Sequence, residues 1–186
     1  MAPNGEVVWR MLDEIQSATP ADVDELARVA AATFPLACPP ATAAVDITAF
    51  VAATFSPQRF SEYLADPGRE VLVARDDGRI IGYAILVRGI GDDPDVAGSV
   101  PALPAVEVSK LYVAAGHHGT DAAPGLMRAA IKWAAGCGAE VMWLGVNREN
   151  ERAQRFYRKH GFAIAGTKTF RLGAGVENDY VMVRSV

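Results

Sequence analysis

The sequence is poor in the residues that build disulfide frameworks and metal sites. It contains two cysteines, Cys38 and Cys137, and three histidines among 186 residues. Two cysteines exclude a small secreted disulfide scaffold, and the histidines have no partners at metal-ligand spacing. We therefore predict that no metal is bound, and neither cysteine lies in a pattern that favours a nucleophilic thiol.

A long apolar run is also missing. The longest uncharged stretch, from Val29 to Val45, is shorter than the roughly 20 residues that span a bilayer, and three prolines interrupt it. Near the N-terminus, Glu6 and Arg10 have no apolar segment behind them, so no signal peptide is predicted. We expect no membrane association and a cytoplasmic location.

Positive charge is not in excess. Lys and Arg number 18 against 22 for Asp and Glu, which gives a formal net charge of −4 at pH 7. Surfaces that bind nucleic acids are usually basic, so no nucleic-acid partner is predicted, whereas a cationic partner is compatible with this charge. The length fits one domain, residues 1–186, since domains commonly have about 100–200 residues.

The second half of the chain alternates strand-like and helical segments. This order predicts helices packed on a sheet, with the two strands that flank the first of these helices parallel. The first third is irregular and rich in alanine, with helical segments expected near 20–30, 48–55 and 57–64. Beyond it we expect a hairpin of 70–75 with 79–87, a loop at 89–104, strands at 106–113, 141–146, 162–172 and 180–184, and helices at 122–135 and 150–160.

One strand runs directly into a loop with glycines and then a helix, which is typical of a phosphate site. The strand ends at Val113, the loop covers 114–121 and the helix follows. The first N–H groups of a helix lack internal partners, and the helix dipole favours anions there. The loop matches neither the Walker pattern nor GxGxxG, so an ordinary turn is the alternative reading of this segment alone.

A more specific motif extends from Leu144 to Phe162. It has the pattern L-x-V, three residues, then N-x-x-A-x-x-F-Y-x-K-x-G-F. This pattern resembles the GNAT superfamily of acyl-CoA N-acyltransferases over residues 70–184. The segments 169–173 and 179–182 are similar to the bacterial spermidine/spermine N-acetyltransferase-like branch of that superfamily.

The resemblance implies an α+β fold layered α/β/α. Its mixed central sheet would have about six or seven strands with splayed central strands, and helices on both faces. Residues 70–184 would form the acyl-CoA-binding core, and residues 1–69 the variable helices on the acceptor side.

The same resemblance implies that acetyl-CoA lies between the strands 106–113 and 141–146. Backbone at Leu111 and Val113 would pair with the pantetheine arm. Asn150 would contact this arm or an ordered water, although capping of its own helix is an alternative. The residues that would hold the pyrophosphate are His118, Gly119, Thr120, Asp121, Ala122 and Ala123.

Asp121 departs from the family pattern, which has glycine at this position. A carboxylate beside a pyrophosphate would repel it, and the added Cβ would crowd the approach of the backbone. Alternatively, Asp121 caps its own helix or points outward. The first reading predicts weakened CoA binding, and the second predicts no effect.

The resemblance also implies the catalytic roles. Tyr157 would protonate the departing thiolate, and the N–H of Val113 would hold the developing oxyanion. Glu107 is our candidate for the general base, and strand alternation predicts that it shares a face with residues 109, 111 and 113. Asp179 and Tyr180 would line the acceptor end.

These features predict an N-acetyltransferase that moves an acetyl group from acetyl-CoA to a primary amine in a ternary complex. A small amine is expected as the acceptor, with a polyamine the leading choice. Two alternatives remain: a non-catalytic acyl-CoA sensor, motivated by Asp121, and an enzyme that acetylates a protein N-terminus or lysine. The final strands are plausible edges for a homodimer.

Overall fold

Seven strands form one mixed sheet in the order β1-β2-β3-β4-β5-β7-β6. The computed structural model describes residues 13–173 and 175–186. Every neighbouring pair is antiparallel except β4 and β5, which are parallel as expected and are joined by a helix. The strands are β1 Asp13–Ser17, β2 Arg69–Asp76, β3 Arg79–Arg88, β4 Ala105–Val113, β5 Val141–Asn147, β6 Ala163–Leu172 and β7 Gly175–Ser185.

Helices cover both faces of the sheet, which confirms the expected layering. The helices are α1 Val23–Thr33, α2 Ala44–Thr54, α3 Pro57–Ala65, α4 Pro94–Ala97, α5 Ala122–Gly136 and α6 Glu151–Lys159. Helix α5 buries Leu126, Met127 and Ala130 against one face of β2 to β4. Helices α1 and α3 bury Leu26 and Phe60 against the opposite face. We call these the α5 face and the α1 face.

The hairpin of β2 and β3 is buried on both sides, because its residues alternate between two cores. Leu72 and Leu86 belong to the core under α5. Val73 and Ile85 belong to the core under α1. A strand covered on both faces needs apolar residues at successive positions, which explains the continuous apolar run of this hairpin.

Three expectations about the elements were wrong. The N-terminal third is not wholly irregular, because β1 pairs with β2 at the sheet edge. The loop 89–104 contains the short helix α4, whose Val96 is buried in a third cluster with Trp143. Strand β7 is longer than the segment 180–184, because its N-terminal half pairs with β6 along that strand's length.

The face predicted for Glu107 was also wrong. The register between β3 and β4 shifts at one point, since Ile85 pairs with Lys110 but Leu86 pairs with Val108. Ser109 is therefore an extra residue, a β-bulge, which reverses the alternation beyond it. Glu107 consequently shares the α1 face with residues 110 and 112, while 111 and 113 join the α5 face.

The edge strands of the sheet are β1 and β6, and β7 lies between β5 and β6. Of the two final strands, only β6 is therefore open to pairing with another chain. No helix within the described ranges is long and apolar enough to cross a bilayer. Glu6 and Arg10, on which the expectation about a signal peptide depends, lie outside the described residues.

Candidate active site

The parallel strands β4 and β5 separate soon after they begin. They pair only at Ala105 with Val141, Val106 with Met142, and Glu107 with Trp143. Beyond these pairs the two strands diverge into a fork, and a cavity of about 390 Å³ occupies it. Residues from both faces of the sheet line this cavity, so the fork is a passage through the sheet.

The inner edge of β4 presents to the fork backbone groups that do not pair with β3. The N–H of Ala114 donates to the carbonyl of Ile81 at 2.8 Å, which fixes the alternation of the ladder with β3. Alternate residues of an antiparallel strand direct their N–H and C=O groups to opposite sides. Leu111 and Val113 therefore turn theirs toward the fork, while the Val113 side chain is 8% exposed and packs in the core. The side chain of Val113 can therefore pack in the core while its backbone lines the fork.

The His118 ring lies between the end of β4 and helix α6. Its Nε2 lies 2.9 Å from the Val113 carbonyl oxygen, and Nε2 must carry the proton because a carbonyl only accepts. Its Nδ1 lies 3.5 Å from Nη1 of Arg152 on α6. The sequence assigned His118 to a pyrophosphate. That assignment stays a prediction: the ring contacts β4 and α6, and both His118 and Arg152 line the cavity here.

The loop between β4 and α5, where the sequence predicts a phosphate site, is shaped by one glycine and one threonine. Gly119 has φ of +83°, a conformation that favours glycine. The Thr120 hydroxyl donates to the carbonyl of His117 at 2.7 Å and accepts from the N–H of Ala122 at 3.3 Å. Ala122 is buried and Ala123 lines the cavity, so the first turn of α5 faces the fork.

Asp121 points away from this loop. Its carboxylate accepts two hydrogen bonds from the Arg128 guanidinium, at 2.5 and 3.3 Å, and both side chains are largely exposed. The side chain makes no capping hydrogen bond to α5. Of the alternatives drawn from the sequence, the outward orientation is the one the structure has.

Tyr157 reaches the cavity from α6. Its ring lies edge-on to Phe156 and Phe162, with centroids 5.4 and 5.9 Å away. Burial raises the pKa of Tyr157 to about 12, so its phenol stays protonated at neutral pH and can donate a hydrogen bond. Phe156 is half-buried, packs against the α5 core and lines the same cavity.

The two asparagines of the motif have different partners. Asn150 caps α6, because its Oδ1 accepts from the N–H of Ala153 at 3.0 Å, and its side chain also lines the cavity. Asn147 accepts from the N–H of Glu149 at 2.8 Å and donates to Glu177 on β7 at 3.2 Å. Asn147 therefore ties the end of β5 to β7.

The α1 face of the cavity holds charged side chains of both signs. The bulge at Ser109 brings Glu107 and Lys110 to this face together with Tyr112. Burial lowers the pKa of Lys110, an effect that Glu107 opposes. Burial raises the pKa of Tyr112, and the nearby Tyr157 adds to this shift.

Strands β6 and β7 complete the charged face. Lys168 pairs with Asp179 in the register of these strands, and both side chains lie over Gly145 of β5. A Cβ at Gly145 would lie 3.4 Å from Asp179 Oδ2 and 3.5 Å from Lys168 Cδ, so a side chain at 145 would crowd both groups. Burial raises the pKa of Asp179, Glu177 adds to the rise, and Lys168 and Lys110 oppose it.

Sequence reasoning missed the two lysines. Lys168 could have been found from the alternation of Gly166, Lys168 and Phe170 along β6. Lys110 could not, because its face depends on the bulge. Tyr180, predicted at the acceptor end, instead packs against the α5 core, with the Arg148 guanidinium 5.2 Å from its ring centroid.

An aromatic wall bounds the cavity on the α1 face. Phe50 of α2 stacks on Phe34 with ring centroids 4.5 Å apart, and it meets Phe170 of β6 edge-on at 5.7 Å. Together with Tyr112, these rings enclose the charged groups in apolar surroundings. Across residues 13–173 and 175–186, no group of three His, Cys, Asp or Glu side chains is placed to hold a metal ion.

Comparison with known proteins identifies this arrangement. The profile of the acetyltransferase (GNAT) family matches residues 34–162. The chain belongs to that family. This GNAT chain is 59% identical over 165 residues to an uncharacterised N-acetyltransferase of Mycobacterium tuberculosis strain H37Rv, with 89% of this chain and 98% of the relative covered. It is therefore an N-acetyltransferase of the GNAT type, with acetyl-CoA as the acyl donor.

Solved structures agree on the fold. The PaiA N-acetyltransferase of Thermoplasma acidophilum, in complex with coenzyme A, superposes with a TM-score of 0.72 at 19% identity and covers 93% of the GNAT chain and 98% of its own. An N-acetyltransferase of Rhodopseudomonas palustris also gives 0.72, at 20% identity, and covers 98% and 100%. Placement near the spermidine/spermine-like branch stays a prediction.

Proposed function

We propose that this chain transfers the acetyl group of acetyl-CoA directly to a small primary amine while both substrates are bound. The observation that carries this proposal is the continuous cavity through the fork between β4 and β5. On the α5 face the cavity offers free backbone groups and the phosphate loop. On the α1 face it offers carboxylates within an aromatic wall. An amine that enters from the α1 face reaches the donor without a covalent enzyme intermediate.

The donor half fits acetyl-CoA. The backbone of Leu111 faces the fork and would pair with the pantetheine amides, while Val113 offers its N–H there, because its C=O is bound by His118. The first-turn N–H groups of α5 and the Arg152 guanidinium would hold the pyrophosphate. Acetyl-CoA supplies the activated thioester. The paired, outward carboxylate of Asp121 removes the feature that motivated a non-catalytic sensor.

Glu107 is the proposed proton acceptor. A primary ammonium has a pKa of about 10.4 and must lose a proton before its nitrogen attacks. Glu107 lies on the α1 face where the fork closes, and its carboxylate lines the cavity. There it would attract the ammonium and take its proton, directly or through a water.

Val113 and Tyr157 are the proposed stabilisers of the transfer. The C–N bond forms as the C–S bond breaks, so charge develops first on the carbonyl oxygen and then on sulfur. The N–H of Val113 would donate to that oxygen. The phenol of Tyr157, protonated at neutral pH, would donate to the sulfur.

A thiol-release assay with acetyl-CoA tests the function directly. The acceptors should include monoamines, polyamines and peptides with a free N-terminus or lysine, because these sets separate the predicted acceptor classes. Glu107→Gln should lower kcat/KM by roughly 100-fold, and the exposed Glu140→Gln serves as the matched control. Absence of thiol release with every acceptor would refute the proposal.

A further inference from the structure

The acceptor half of the cavity holds two lysines that the proposed chemistry does not use. Lys110 and Lys168 lie on the same sheet face as Glu107 and Asp179, and all four side chains line the cavity. A site shaped for a diamine would place carboxylates at both ends of the substrate. Two ammonium groups beside it would repel such a cation.

Neither lysine uses all of its hydrogen-bonding capacity inside the fold. An ammonium group has three donors. Lys110 Nζ donates to the Ser109 carbonyl at 3.0 Å. Lys168 Nζ forms an ion pair with Asp93 Oδ2 at 3.7 Å and lies 5.5 Å from the Trp143 ring centroid, but neither contact is a hydrogen bond, and its side chain is only 19% exposed. Both ammonium groups therefore keep donors for a ligand in the cavity, and an anion would compensate for their burial.

Charges of opposite sign meet over one position of the cavity lining. Asp179 and Lys168 both reach over Gly145, where a Cβ would meet Asp179 Oδ2 at 3.4 Å and Lys168 Cε at 3.7 Å. A short ligand beside these two side chains would thus meet a carboxylate and an ammonium group at once. Phe34, Phe50 and Phe170 line the same cavity and pack against one another, so the ligand also meets an apolar wall.

We propose that the acceptor is a short zwitterion, a primary amine that carries one acidic group such as a carboxylate. Its ammonium end is held by Glu107 and Asp179, and its acidic end by Lys168 and Lys110. This assignment rests on the proposed acetyl transfer and replaces the polyamine by an amino-acid-like acceptor. The same bonds form and break as in the proposed reaction, and the acidic group takes no part in them.

Matched acceptors test the assignment. Butylamine, 1,4-diaminobutane and 4-aminobutanoate differ only at the distal end, and propylamine, 1,3-diaminopropane and β-alanine repeat the comparison one carbon shorter. In the thiol-release assay the carboxylate member of a set should have the highest kcat/KM. Lys168→Met should lower that value by roughly 10–100-fold, the range expected for a lost hydrogen bond to a charged group. The value for the plain amine should change little, and the exposed Lys132→Met should change neither.

A diamine preferred over its carboxylate analogue, or an equal loss for all acceptors in Lys168→Met, would overturn the zwitterion and leave the acetyl transfer in place. Calorimetric binding of the same six compounds, with CoA present, separates the opposite case. Carboxylate-selective binding that depends on Lys168, without thiol release from any acceptor, would support acid recognition and refute the transfer. Binding without that selectivity would refute acid recognition.

Discussion

The carboxylate of Asp121 is bound by the guanidinium of Arg128, with a shortest distance of 2.5 Å, on the outer surface of α5. The residue that replaces a family glycine in the phosphate loop therefore directs its charge away from the loop and shares it with a cation. Repulsion of a pyrophosphate falls when the anion is paired and when solvent surrounds it.

We therefore expect Asp121→Asn to change the Kd for CoA by less than about threefold, since exposed ion pairs contribute little. Titration calorimetry with CoA gives this value. Arg128→Met is the matched comparison, because it leaves Asp121 charged but unpaired, and any latent repulsion should appear there as weaker binding. CoA binding that tightens strongly in Asp121→Asn would show that the carboxylate acts on the phosphates after all.

Tyr157→Phe should lower kcat by roughly 100-fold or more and leave the Kd for CoA nearly unchanged, because the variant keeps the ring and loses only the hydroxyl. Tyr63→Phe removes a phenol whose hydroxyl donates to Thr54 outside the cavity, and it should keep normal turnover. Since the pKa of Tyr157 is raised to about 12, wild-type kcat should show no decline from this group below about pH 10. An alkaline decline between pH 7 and 9 that vanishes in Tyr157→Phe would contradict this assignment.

The sequence predicted the framework of the site because local signals encode it. The motif from Leu144 to Phe162 specified β5, α6 and the tyrosine at the fork, and the glycines after β4 predicted the loop before α5, whose phosphate-binding role stays a prediction. Apolar periodicity specified α5, whose buried residues repeat at helical spacing. These features depend on residues close together in the chain, so a single sequence reveals them.

The charged side chains on the α1 face of the cavity could not be predicted in the same way. The bulge at Ser109 decides whether Glu107 lies on the same sheet face as Lys110 or as Leu111. A bulge has no reliable signal in the sequence. Lys168 and Asp179 meet over Gly145 through pairings among β5, β6 and β7. The ion pair of Asp121 with Arg128 joins residues seven positions apart, and helix propensity does not reveal such a pair. The positions of these charged side chains depend on how the strands pair, so they could be seen only in the structure.

We expect the buried carboxyl group of Asp179 to lower the stability of the fold at neutral pH. Its pKa is raised in the folded chain above the ordinary value of 3.8, chiefly by burial. A raised pKa means that the folded chain binds this proton more tightly than the unfolded chain does. The stability that this proton contributes is complete below the unfolded-state pKa and is lost as the pH rises through the folded-state pKa. At pH 7 the raised pKa of Asp179 therefore costs stability, and Asp179→Asn should raise Tm there.

The gain in Tm should shrink as the pH is lowered and vanish below the ordinary carboxyl pKa, because wild-type Asp179 is then neutral in both states. Thermal unfolding at several pH values measures this trend, and the exposed Asp92→Asn provides the control. The same Asp179→Asn variant should lose acceptor affinity, seen as a higher KM for the amine with little change in the Kd for CoA. A variant that loses both Tm and kcat at pH 7 would instead show that the carboxylate supports the fold, and the assignment of Asp179 to the acceptor would fall.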